Sequence, residues 1–204
     1  MNAATTFGPR ISGWARKVPT WPIYLIGLAP AIWLIWAGTT GGLGVDPVKA
    51  MEHRAGLWSL QLLLASLCVT PLMRFARINL IKFRKPLGLL AFGYLVLHFL
   101  IWLVLDMALR WDEIARDLVK RPYIVVGFAA FVILVPVAAT SWQGAIRRMG
   151  QVAWQRLHRL VYLAVLLGAV HFVMQEKVWT VEAIAYLIGT TLLVGMRFLW
   201  VRRW

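Results

Sequence analysis

Cysteine and acid are what this chain is short of. Its single cysteine, Cys68, excludes an intramolecular disulfide, a cysteine-ligated iron–sulfur cluster and the paired thiols of c-type haem attachment. Only 8 of its 204 residues are Asp or Glu, against 22 Lys and Arg, which leaves a formal charge of +14. A low-complexity tract, an interdomain linker and any stretch polar enough for a soluble domain are missing too. What is there is apolar, with 61% of residues hydrophobic. A soluble fold of this size has no use for that much apolar surface, so the class is an all-α, polytopic membrane protein. In a soluble chain such a basic balance would suggest nucleic acid. Membrane proteins instead collect Lys and Arg on their cytoplasmic side, so the surrounding partner is lipid and no nucleic acid is expected.

Six apolar spans can be read, at about 21–37, 57–73, 86–105, 122–140, 160–175 and 179–200. Between them lie a glycine-rich loop at 38–56, a basic segment at 74–85 and a mixed-charge segment at 106–121. A second basic segment, 141–159, and a short turn at Glu176-Lys177 complete the set. Arg10, Arg16 and Lys17 precede the first span, and no small-residue cleavage site follows a short apolar region. A retained first helix is therefore expected rather than a signal peptide. The expected organisation is one transmembrane domain over 1–204, a six-helix bundle with residues 1–20 as a cytoplasmic segment.

Charge fixes the expected orientation. The N-terminal segment, 74–85, 141–159 and the end from Arg197 carry fifteen cations and no acid. The opposite side has the remaining seven cations and all eight acids, from Asp46 to Glu182. The positive-inside rule then puts both termini in the cytoplasm.

Four histidines remain to be placed. His98 lies twelve residues into the third span and His171 eleven residues into the fifth, both counted from the basic side. Two imidazoles at matched depth, without an acidic neighbour in either span, suit axial ligation of one b-type haem between the third and fifth helices. A lone membrane histidine more often serves as a hydrogen-bonding group to a neighbouring helix. Gly93 and Gly168 stand nearby, where small residues would let a flat macrocycle approach.

His158 sits at the basic end of the fifth span, thirteen residues before His171, or roughly 20 Å along a helix axis. It reads either as an interfacial residue or as a ligand of an inner haem. The opposing position on the third span falls at Arg84 or Lys85, where no histidine stands. Arg84 could meet a haem propionate, or bind iron if its guanidinium lost a proton, which is unusual chemistry. Thirteen residues rotate an ideal helix by about 220°, so local rewinding, tilt or a frayed end is needed to bring His158 and His171 to one face. His53, in Glu52-His53-Arg54, is read as a solvated loop residue without a haem. Gly41-Gly42-Leu43-Gly44 lacks the strand and lysine of a phosphate loop, and Pro71 and Pro136 are read as helix kinks.

Three stretches together resemble the MsrQ family, formerly YedZ, of the ferric-reductase-like transmembrane superfamily. They are Arg84-Lys85-Pro86-Leu87-Gly88-Leu89 leading to His98, Thr140-Ser141, and Trp154-x-x-Leu157-His158-Arg159-Leu160-x-Tyr162 leading to His171. The resemblance covers essentially the whole chain. It implies an electron conduit fed by the quinone pool or a cytosolic flavin reductase. Electrons would leave through b haems to a periplasmic molybdopterin enzyme, MsrP, that reduces methionine sulfoxide in oxidised envelope proteins. It also implies FMN, with His98 and His171 matching the outer haem ligands, His158 an inner ligand and Arg84 the position opposite. Substrate reduction would then lie on the partner. The competing readings are a ferric or cupric reductase and, from another class, a non-redox transporter or assembly subunit. Almost no acid lies within the spans and no paired broken helices are evident, which counts against a transporter.

Overall fold

The computed structural model describes residues 4–201, with side chains described over 8–199. Arg202 and Arg203, which the charge count includes, lie outside the described residues. The described chain contains helices and no strand, and six stretches are long and apolar enough to cross a membrane. They are Trp21–Thr39, Pro47–Phe75, Ile81–Asp106, Pro122–Ala139, Gln151–Gln175 and Val181–Leu199. This is a multi-pass membrane protein. In a bilayer a helix satisfies its own backbone hydrogen bonds, so sequences this apolar have little alternative.

The chain divides into two compact units, Met1–Tyr94 and Leu95–Trp204. The first unit opens with α1 (Ala4–Lys17), in the segment expected only to precede the spans. Lys82 donates its Nζ hydrogens to the carbonyls of Arg16 and Val18, which meets part of the unsatisfied C-terminus of α1. Ser12 Oγ lies 3.1 Å from the Arg77 carbonyl and accepts from the Asn79 amide at 2.9 Å. The basic segment after the second span thus anchors α1 as well as carrying charge.

In the same unit, α2 (Trp21–Thr39) is followed by α3 (Pro47–Phe75). The sequence reading started the second span at 57, but α3 begins ten residues earlier. Asp46 caps it, accepting from the Lys49 amide at 3.0 Å, and Pro47 supplies a pre-set first turn. His53 is therefore a helical residue and not a loop residue. Hydropathy hid this turn because Lys49, Glu52, His53 and Arg54 interrupt the apolar pattern. Deeper in the unit, Ser59 donates to the Ala91 carbonyl at 2.9 Å, and the Tyr94 hydroxyl donates to the Gly27 carbonyl at 2.6 Å. Pro71 lies within α3.

A short 3₁₀ turn, Ile81–Phe83, leads into α4 (Arg84–Leu100), and the boundary between the units falls inside this helix. Its continuation, Ile101–Asp106, widens into a π-helix that closes through Met107 N to the Trp102 carbonyl. Ala108 and Leu109 then take positive φ values of 48° and 57°, which turn the chain out of the helix.

In the second unit, α5 (Trp111–Lys120) and α6 (Pro122–Ala139) are followed by the short α7 (Gln143–Met149) and α8 (Gln151–His158). The segments 106–121 and 141–159, read as links, are thus largely helical and amphipathic. Gly150 turns α7 into α8 at φ +79°. The long helices α9 (Leu160–Gln175) and α10 (Val181–Val201) close the fold, with α6 and α10 both packed against α9. Ala130 of α6, Ala164 and Ala169 of α9 and Ala183 of α10 are buried. Small side chains let membrane helices approach closely where no hydrophobic effect drives them together. Pro136 lies within α6.

Candidate functional site

The site is built where α9 meets α6. His171 lies on α9, and its Nδ1 is 2.7 Å from the Tyr123 carbonyl at the start of α6. A carbonyl oxygen has no proton to give, so Nδ1–H donates and the neutral ring keeps its lone pair on Nε2. Gly127 stands one helical turn beyond Tyr123. A Cβ built there would lie 2.7 Å from His171 Nδ1 and 2.8 Å from Cε1. The imidazole therefore rests against bare backbone.

His98, in the last turn of α4 and in the same unit, brings the second imidazole. The ring centroids of His98 and His171 are 6.1 Å apart, with planes at 79°. A metal–imidazole bond is about 2 Å, and the bonded nitrogen lies about 1 Å from its ring centroid, so imidazoles on opposite sides of one metal have centroids about 6 Å apart. Ring planes that share such an axis can take any mutual angle. Among the described residues no three or more His, Cys, Asp or Glu converge as a chelating cluster. A pair of imidazoles is a poor cage for a bare ion and a sufficient one for a metal that brings four equatorial nitrogens, as haem iron does. The donor set fits that group.

The helices at this site also carry an aromatic cluster. Phe99, next to His98, stacks on Phe131 at 4.9 Å and lies 6.0 Å from both Phe128 and Trp102. The Tyr123 ring is 5.8 Å from His171. Just before the α6 span, Arg121 is held above its ordinary pKa, first by the neighbouring Tyr123 hydroxyl and then by the Asp117 and Asp106 carboxylates. Its guanidinium lies 3.3 Å from Asp117.

His158, at the end of α8, belongs to a second cluster. Its ring stacks on Trp154 at 3.9 Å, and its Nε2 is 3.0 Å from Thr140 Oγ1. Thr140 donates its own hydroxyl to the Pro136 carbonyl at 2.7 Å, so the proton between it and His158 comes from the imidazole. Trp154 Nε1 donates to the Thr140 carbonyl at 2.9 Å. Between His158 and His171 the helix is interrupted at Arg159, where the Tyr162 amide reaches back only three residues to the Arg159 carbonyl.

Arg84 is the first residue of α4 and is half-buried. Around Gly93 no heavy atom lies within 4 Å of where a Cβ would be. Sequence reasoning singled out the histidines but not Gly127 or Tyr123, which the structure places against His171. The available signal was a lone glycine in an otherwise apolar run, Val126-Gly127-Phe128.

Residues 55–169 match the family of ferric-reductase-like transmembrane components. The chain is 46% identical over 177 residues to the haem-binding subunit MsrQ of protein-methionine-sulfoxide reductase from Agrobacterium fabrum, covering 87% of this chain and 82% of that one. It is 43% identical over 186 residues to the protein of the same name from Brucella anthropi, covering 91% and 84%. The Brucella ovis protein is 45% identical over 166 residues, covering 81% and 75%. No solved structure matches the chain.

Proposed function

The chain belongs to the MsrQ family of haem-binding membrane subunits, within the ferric-reductase-like transmembrane components, and from that premise we propose that it carries electrons across the bilayer through b-type haem. The observation that carries the reading is the imidazole pair at 6.1 Å. His98 and His171 are the residues that would hold one haem, through their imidazoles. The Tyr123 carbonyl keeps the proton of His171 on Nδ1 and so presents Nε2 to the iron. The haem supplies one-electron cycling between ferric and ferrous states. The protein's part would be to hold both imidazoles among the apolar side chains of its membrane helices.

A second, inner haem on His158 completes the relay, with Arg84 as its propionate partner or opposing ligand. To serve that haem His158 would give up its Nε2 bond to Thr140 and carry its proton on Nδ1 instead. Electrons enter from a quinone or a cytosolic flavin reductase, with FMN held by the basic cytoplasmic segments. They leave to a periplasmic molybdopterin-containing reductase that repairs methionine sulfoxide in envelope proteins. The whole chain acts as one domain of the bacterial inner membrane with both termini cytoplasmic, as its segregated charge supports. Delivery of electrons directly to ferric or cupric ions is the second reading, favoured by the ferric-reductase family match. The extent of similarity to the reductase subunits weighs for the first.

The test is a reduced-minus-oxidised absorption spectrum of the purified chain with haem stoichiometry. His98→Ala and His171→Ala are each expected to lose the same haem. Loss of spectrally different haems would separate the two histidines and end the pairing.

A further inference from the structure

Resting on the reading that His171 is an axial ligand, we propose that Gly127 is a positioning residue that sets the seat and tautomer of that ligand. In a helix each Cα–Cβ bond leans toward the N-terminus, so a side chain covers the turn before its own Cα. A side chain at 127 would therefore lie over the carbonyl of Tyr123, one turn back. Glycine leaves that carbonyl uncovered from the side, and the His171 ring lies in the space, donating Nδ1–H to it at 2.7 Å.

Cβ atoms built at Gly8, Gly27, Gly38 and Gly144 also meet neighbours closely, but among the described glycines the neighbour is a histidine ring at Gly127. A Cβ at 127 would meet His171 Nδ1, Cε1 and Cγ at 2.7, 2.8 and 3.1 Å. At Gly88, Gly93, Gly189 and Gly195, glycines of other membrane helices, a Cβ would meet nothing within 4 Å. At Gly27 it would press on the flexible tip of Leu90. The ring at Gly127 has no such slack, because moving away from a Cβ also breaks its bond to Tyr123. Outer partners of this kind orient a metal-bound histidine and raise its basicity, and losing one typically weakens the metal site about 10- to 100-fold.

Gly127→Ala in the full chain, purified in detergent, is expected to lose haem to apomyoglobin with about 10- to 100-fold weaker retention. The haem it keeps should show a more positive midpoint potential and an altered low-spin EPR signal, because a less basic imidazole stabilises ferric iron less. Gly189→Ala and Gly195→Ala should match the wild type in all three. Wild-type retention, potential and EPR in Gly127→Ala would overturn the proposal. If that variant does not accumulate, the wild-type chain decides. Backbone 1-¹³C-tyrosine labelling with redox-difference infrared spectroscopy should show a carbonyl band that shifts on dithionite reduction. That band should be absent in Tyr123→Phe, which keeps the carbonyl and loses the label. No such band would also overturn it. His171→Ala separates the two levels. If it keeps the full haem complement, the ligand reading falls and the proposal with it; if it loses haem while Gly127→Ala is unchanged, only the role of Gly127 falls.

Discussion

Thr140→Val asks whether His158 serves iron or only the fold. The substitution keeps a β-branched shape and removes the hydroxyl that lies 3.0 Å from His158 Nε2. The hydroxyl's bond to the Pro136 carbonyl is lost as well, equally with and without haem, while the Thr140 amide still donates to that carbonyl and Trp154 Nε1 to the carbonyl of residue 140. A side-chain hydrogen bond of this kind contributes about 0.5–1.5 kcal/mol net, which corresponds to a factor of about 2 to 12 in an equilibrium constant. If His158 must release Thr140 to bind the inner haem, the variant has no bond to release. Its affinity for that haem should rise by about that factor, since the lost bond stabilised only the haem-free arrangement. The assay is haem titration of the purified chain depleted of its inner haem, with the His98–His171 haem as internal standard. If His158 is a structural residue, the same change leaves an imidazole N–H without its acceptor, lowers thermal stability and adds no haem affinity. Unchanged or weaker inner-haem binding refutes the exchange argument.

Two further outcomes bear on orientation and on the inner site. Reporters fused after Trp204 should read cytoplasmic, and reporters inserted between α5 and α6 near Lys120 should read periplasmic, because the acids and excess cations are segregated; a periplasmic C-terminus would undo the matched depths of His98 and His171. Arg84→Ala should perturb the haem that His158→Ala removes, and Arg84→Lys should restore it only if a simple positive charge is needed, since lysine lacks the planar fork. Low-spin EPR with haem stoichiometry reads both, and one haem per wild-type chain, unchanged in His158→Ala, would leave the inner site without support.

The spans were legible because length and apolarity alone specify a transmembrane helix. The amphipathic helices and helix extensions were not. α5 and α8 are half polar, so a hydropathy scan passes over them, and the first turns of α3 vanish behind Lys49, Glu52, His53 and Arg54. The pairing of His98 with His171 could be read as matched depth along two spans. Their second partners could not, because Tyr123 acts through its backbone, which every residue has, and Gly127 acts through an atom it lacks. His158 shows the limit from the other side. Its spacing from His171 could be counted, while the hydroxyl of Thr140 reaches it only through the turns of α7 and α8.

Both clusters hang on one element. Tyr123 is the second residue of α6 and Thr140 its C-cap, so the His171 anchor and the His158 anchor are seventeen residues apart on a continuous helix, roughly 25 Å. α6 is in effect a ruler. Electron tunnelling falls steeply with distance, and a relay whose rungs hung on separate helices would lengthen or shorten as the lipid chains around it changed. A helix cannot be stretched without breaking its own hydrogen bonds, so a thicker or thinner bilayer is met by tilt. Tilting α6 carries both anchors together and leaves their separation unchanged.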